Sequence, residues 1–340
     1  MVPVPLLKLT AFFNETLESG NGLAARRVLD EFHAAEVHTS ILLRGIEGFG
    51  AHHRLHSELH EAGTLDQPVV AIAVDSEPRI RELLPAVERV LTRGLVTLER
   101  ATTPEAAPSA GHDPAAPARL TVFCGRADRY RGGSAAKAVI AGMRAAGAHG
   151  AVAYLGVDGT VAGHRQRATM LSANRAVPVM VVGFGPLEAM LGEIADACRA
   201  IEPHILVERV SMLKVNGGHL GDLPDVDAGA DQWEKLTVYA AGDASRDGRP
   251  LHYHLVEALR ESGAAGATSL RGTWGFRGGE QPHGDRALAL GRRAPVATIT
   301  VDRPTAIRER WPIVDDATTD HGMVIRELVP ALVHGHLVHG

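Results

Sequence analysis

Ile41-Leu42-Leu43-Arg44-Gly45-Ile46-Glu47-Gly48-Phe49-Gly50 returns later in the chain as Ser269-Leu270-Arg271-Gly272-Thr273-Trp274-Gly275-Phe276-Arg277. A weaker echo, Ala153-Tyr154-Leu155-Gly156-Val157-Asp158-Gly159-Thr160, lies between them. Each copy is an apolar, strand-like run closing on Gly, two residues and a second Gly. Glycine at that spacing allows positive φ and exposes backbone N–H groups, which reads as a small anion-holding nest. Beside it, Arg44 and Arg271 supply planar cations suited to phosphate or carboxylate. The same pattern is also that of a tight turn after a strand.

Working outward, Leu9-Thr10, Leu120-Thr121 and Leu236-Thr237 each precede the first turn glycine (Gly45, Gly156, Gly272) by the same interval. The chain is therefore read as three copies of one unit. Each begins with a strand and a polar, Gly-containing loop. A helix follows, with apolar positions at helical spacing: Ala24, Val28, Leu29 and Phe32; Ala136, Val139, Ile140 and Met143; Leu251, Leu255, Val256 and Leu259. A second strand enters the Gly turn. A long connection then ends at Pro68, Pro178 or Pro295, each opening a β-branched third strand. A second amphipathic helix, clearest in copies one and two, and a closing strand complete the order βαββαβ. The fold class is α+β, with three tandem ferredoxin-like units. The expected domains are 1–100, 119–212 and 233–334, joined by an Ala/Pro-rich linker (101–118) and a Gly/Asp-rich linker (213–232).

The 340 residues are 45% hydrophobic and 22% charged, as in soluble globular proteins. A formal net charge of −5 offers no general attraction to nucleic acid or to an anionic membrane. No apolar run is long enough to span a bilayer, and the first residues lack the regions of a signal peptide, so the expected location is cytoplasmic. Cys124 and Cys198 have no metal or redox spacing and read as reduced core thiols.

These residues resemble the PII-like proteins known as domain of unknown function 190. The resemblance rests on Arg-Gly-x-x-Gly-Phe-Gly after strand two, on Asp128-Arg129-Tyr130-Arg131-Gly132 before a helix, and on Val74-Asp75-Ser76-Glu77 after strand three. It covers nearly the whole chain apart from the linkers. It implies a trimer-like arrangement fused into one polypeptide about a pseudo-threefold axis. It also implies an adenine nucleotide or similar small anion bound between units, no obligatory cofactor, and signalling to a protein partner through the strand-two to strand-three loops. The ligand-binding residues so indicated are Arg44, Gly45, Gly48, Phe49, Gly50, Arg271, Gly272, Gly275, Phe276 and Arg277. Copy two departs from the pattern, with Leu155 for Arg and Thr160 for Phe, so at most two clefts are expected to hold an anion.

No catalytic residue is identified: Glu47 and Asp158 have no obvious partner, and there is no P-loop lysine or triad signature. Two alternatives remain. A nucleotide hydrolase is one; the other is a metal-tolerance protein like the CutA branch of the superfold, binding a divalent metal through His52 and His56, with His60 on the same helical face. His334, His336 and His339 read as a solvated tail. The connections 45–67, 156–177 and 272–294 are expected to be the least ordered parts, and the chain to be a monomer.

Overall fold

The computed structural model describes residues 5–20, 22–58, 66–107, 111, 116–161, 163–167, 177–221, 223, 232–284, 293–320 and 322–334. It is a mixed α/β protein whose strands pair antiparallel, with six helices among the described residues. The three units span Leu6–Ala101, Pro117–Glu208 and Gln232–His334. In unit 1 the strands are opening (Leu6–Asn14), second (Thr39–Arg44), third (Pro68–Ser76) and closing (Gly94–Ala101). In unit 2 they are Pro117–Gly125, Gly150–Leu155, Pro178–Pro186 and His204–Glu208. In unit 3 they are Gln232–Ala240, Ala267–Arg271, Val296–Asp302 and Met323–His334. Every unit has the lateral order second, third, opening, closing.

The helices are α1 (Ala24–Ala34), α2 (Glu77–Val90), α3 (Ala135–Ala145), α4 (Leu187–Ile201), α5 (Leu251–Glu261) and α6 (Pro304–Ala317). α1 buries Val28, Leu29 and Phe32 against one face of its sheet, and α3 and α5 repeat the pattern. The second helix of unit 3, faint in the sequence, starts on Pro304, where a missing N–H costs nothing and φ is already helical.

The opposite faces of the three sheets share one apolar core, in which Ile41 and Ile72 of unit 1 meet Phe123 and Val182 of unit 2 and Tyr239 and Ile325 of unit 3. Two sets of strand exchanges tie the units. The segment after each Gly turn is a short strand on the second strand of a neighbour. Glu47–Phe49 pairs with unit 3, Asp158–Thr160 with unit 1, and Trp274–Arg277 with unit 2. Running the other way round, Thr102 bridges Val207 of unit 2, Ser211–Val215 pairs with Arg326–Met323 of unit 3, and Ala331–His334 pairs with Thr97–Gly94 of unit 1. The second linker thus begins with an ordered strand rather than free chain. Likewise the first residues of each long connection are paired β-structure, contrary to the expectation of disorder. The remainders (59–65, 168–176 and 285–292) lie outside the described residues.

Where the sheets meet, six charges are buried in a ring. Each opening strand contributes a cation just before its Leu-Thr pair (Lys8, Arg119, Lys235), and each closing strand a carboxylate (Glu99, Glu208, Glu327); all are at most 8% exposed. Arg119 forks onto two carboxylates, donating to Glu208 at 2.6 and 2.8 Å and to Glu327 at 2.6 Å twice. Lys235 bridges Glu99 (2.7 Å) and Glu327 (2.9 Å). Lys8 pairs with Glu208 and lies 4.0 Å from Glu99. Thr10, Thr97 and Thr121 donate to the remaining carboxylate lone pairs at 2.9, 2.8 and 3.0 Å. Signs alternate around the ring, so every charge has opposite neighbours and the set is neutral.

Removing one member strands the others in a dry interior, so Arg119→Ala should cost about 3–5 kcal/mol, read by denaturant unfolding near neutral pH. Acid should act on the same ring. Burial pushes the Glu327 carboxyl up, but Arg119, Lys235 and Lys8 outweigh it and hold the group down to about 2, against an ordinary value of about 4.3. Its contribution is complete above the unfolded-state value and is lost as pH falls through the folded one. Stability should therefore drop between about pH 4 and about pH 2, and less steeply in Glu327→Gln. Cys124 is buried, with its thiol pushed up to about 12 by burial and then Asp128. It should react with a thiol reagent only on unfolding.

Candidate functional site

A cleft of about 620 Å³ opens between unit 1 and unit 3. Unit 1 supplies Phe12, Phe13 and Asn14 from the end of its opening strand, Arg93, Gly94 and Leu95 at the start of its closing strand, and Phe49-Gly50 with His52, Arg54 and His56 beyond the turn strand. Unit 3 supplies Trp233, Ala265–Thr268, Ile299 and Val301. The body is apolar, and the mouth is polar. Arg303 stacks over Trp233, its guanidinium carbon 4.5 Å from the ring centroid.

At the mouth, Asp66 is already satisfied. It accepts hydrogen bonds from the Thr16 hydroxyl, the Thr16 N–H (3.3 Å) and Asn14 Nδ2 (3.2 Å), and lies 3.4 Å from His56 Nδ1. Burial raises its carboxyl, but the bonds from Thr16 and Asn14 and the nearby His56 outweigh that and hold it below its ordinary value. Arg54 and Arg93 are exposed there and make no ion pair among the described residues; Arg93 Nη1 lies 3.4 Å from His52 Nε2. The mouth therefore presents spare positive charge in front of an apolar, aromatic body.

The expected site residues fall into two groups. Phe49, Gly50, His52 and His56 line the cleft. The others are engaged elsewhere. Arg44 pairs with Glu15, Arg271 with Glu58 (3.3 Å) and Arg277 with Glu280 (3.1 Å). Among the described residues no group of three metal-ligating side chains is assembled; His60 lies outside them, as do His336 and His339, while the backbone of His334 pairs with Gly94.

The anion nest is corrected by the backbone. Gly45 and Gly272 donate their N–H to Pro68 O (2.7 Å) and Pro295 O (2.8 Å), and the next residues donate to Ser269 O and Ala153 O of the neighbouring unit. None of Gly45, Gly48, Gly272 or Gly275 has positive φ. Glycine is needed because two backbones touch: a Cβ on Gly48 would stand 2.5 Å from the carbonyl oxygen of Ala267. The phenylalanine of the motif is likewise a plug. Phe49 is buried in the core of unit 3 and Phe276 in that of unit 2. Glu47, expected to lack a partner, is buried and accepts a 2.6 Å hydrogen bond from His252 Nδ1 on α5 of unit 3. The sequence reading also missed Arg54, Arg93 and Trp233, which carry no repeated motif.

The three units correspond to three matches of one family model, the DUF190 family described as "Uncharacterized ACR, COG1993", at residues 6–103, 117–211 and 233–331. The chain belongs to this family, which is a PII-like one. Among solved structures it matches an aspartate kinase from Synechocystis at 12% identity and a TM-score of 0.25, over 96% of this chain and 44% of that one. The chain thus spans less than half of that structure, and a likeness at this level carries no argument. No helix among the described residues is long and apolar enough to cross a membrane.

If the glycines serve close approach, Gly48→Ala should destabilise the chain by about 1–3 kcal/mol, because the obstructing atom is backbone and cannot rotate away. Gly50→Ala should be neutral, since a Cβ there meets nothing within 4 Å. Chemical denaturation of the two variants checks the contrast.

Proposed function

We propose that the chain is a small-molecule sensor of the PII-like kind, with three ferredoxin-like units set about a pseudo-threefold axis as a trimer fused into one polypeptide. Its ligand is a small anion with a planar apolar body, best matched by an adenine nucleotide, and it occupies the cleft between units 1 and 3. The observation that carries this reading is the cleft itself, whose volume lies in the range of small-molecule sites. Phe12, Leu95, Trp233 and Ile299 suit a planar ring, and Arg54 and Arg93 suit a phosphate chain at the mouth. Segment 51–58, which supplies Arg54, His52 and His56, belongs to the long connection of unit 1. Occupancy would therefore bear directly on a surface segment that a protein partner could read.

Calorimetry with ATP, ADP, AMP and cyclic nucleotides tests this. One nucleotide per chain is expected, with Arg93→Ala weakening it about tenfold or more, the value of a charge-assisted hydrogen bond of roughly 1.5–3 kcal/mol. Arg44→Ala and Arg271→Ala should leave affinity unchanged. Absence of binding for every nucleotide at millimolar concentration would overturn the ligand class. Because the units already cover one another's inner sheet faces, light scattering should return a mass near 36.0 kDa rather than three times that.

A further inference from the structure

The turn strands dock in the same register at all three unit boundaries: Phe49 lies opposite Ala267, Thr160 opposite Ser40 and Phe276 opposite Ala151. The three clefts can therefore be compared position by position. Where the open cleft has Val301, Phe12 and Leu95, the cleft between units 3 and 2 has Phe184, Tyr239 and Met323. Phe184 and Tyr239 pack ring to ring with centroids 4.8 Å apart. What remains there is a cavity of about 10 Å³, at the lower limit for a single water. Arg277 lines it, and its Nη1 is buried without a hydrogen-bond partner among the described residues.

At the boundary between units 2 and 1, the positions of Leu95, Ala265 and Gly266 are taken by His204, His38 and Thr39. His204 Nδ1 lies 2.8 Å from Thr39 Oγ1, and its ring centroid is 4.6 Å from that of His38. Side chains thus cross the space that small or aliphatic residues leave free between units 1 and 3.

We propose that these two boundaries are closed copies of the ligand cleft and that the chain carries a single site: between units 3 and 2 the side chain at the Val301/Phe184 position closes the cleft, whereas between units 2 and 1, where that position is Val74, the His204, His38 and Thr39 side chains close it. This rests on the reading of the unit 1–unit 3 cleft as the ligand site. A valine at 184 would remove the ring that wedges against Tyr239 and would expose Arg277 to an anionic head group. A phenylalanine at 301 would extend a ring toward Phe12 and close the open cleft without altering its polar mouth.

The probe is 1-anilinonaphthalene-8-sulfonate, an apolar ring system with one anionic group, titrated by calorimetry. Near-UV circular dichroism verifies that each variant keeps its fixed packing, since loosened states also bind this dye. The wild type should bind one dye per chain, Phe184→Val two, and Val301→Phe none. Two or more equivalent sites in the wild type overturn the proposal, as does a natively packed Phe184→Val that still binds one. Should Phe184→Val fail to fold, Val301→Phe decides: retained binding overturns the proposal and lost binding supports it. Parallel ATP titrations separate the two readings. The expected dye pattern without ATP binding overturns the nucleotide and leaves the single cleft standing, whereas more than one ATP per wild-type chain overturns the single cleft.

Discussion

The constraint on which the rest of the structure depends is the neutrality of the buried ring formed by Lys8, Arg119, Lys235, Glu99, Glu208 and Glu327. In a lone unit the cation of the opening strand would have only the carboxylate beside it on the closing strand. In the assembled chain Arg119 binds its own Glu208 and Glu327 of the next unit, and Lys235 binds its own Glu327 and Glu99. Taking an ion out of water costs several kcal/mol, and a ring that alternates in sign offsets this only when all three units are in place and in register. Slipping one opening strand by a residue would turn its cation toward the helices and leave two carboxylates facing each other. The ring therefore selects one arrangement among the many that the apolar faces would accept.

Two exchanges of short strands finish what the ring begins. Each turn strand extends the second strand of one neighbour; the exit segments of units 2 and 3 extend the closing strand of the other, while that of unit 1 meets the closing strand of unit 2 through the single bridge Thr102–Val207. Covalent fusion then permits what a symmetric assembly of identical subunits cannot. Position 301 can be Val while position 184 is Phe, because each is encoded once. The units have kept the framework positions, including the Leu-Thr pairs, the paired glycines and the ring charges. They have diverged at the cleft positions, where nothing in the framework depends on the side chain.

Much of the fold was legible because periodicity and recurrence are local properties. The equal spacing from Leu9, Leu120 and Leu236 to their glycines fixed the units, and the stripes on α1, α3 and α5 fixed the buried helix faces. The function of the glycines was not legible. Two glycines three apart read the same whether they open a nest or let a second backbone lie against them, and the backbone that touches Gly48 belongs to Ala267, far along the chain. The ring escaped for a related reason: a single Lys or Glu in a strand reads as solvent-facing by alternation. Only the recurrence of Lys/Arg before each Leu-Thr pair, together with Glu in each closing strand, carried the signal. Of the cleft, Phe49, Gly50, His52 and His56 were within reach of a motif. Arg93 and Trp233 were not, because they are brought together by the docking of units 1 and 3 alone.

The cleft and the ring share two strands. Phe12 lies on the strand that carries Lys8 and Thr10, and Leu95 on the strand that carries Thr97 and Glu99; with a side-chain period of two, each set lies on one face. The register between these strands pairs Phe12 with Leu95, Thr10 with Thr97 and Lys8 with Glu99. The wall against which a ligand ring would rest is thus the outer end of the same ladder whose inner end holds the charges. Those charges fix the ladder, since a shift of one residue would turn Lys8 or Glu99 out of the ring and break the ion pairs it makes. The wall is accordingly the rigid side of the cleft, and adaptation to a ligand falls to segment 51–58, which is joined to the sheet by Glu47–Phe49, the short strand His56–Ser57 and the Glu58–Arg271 pair.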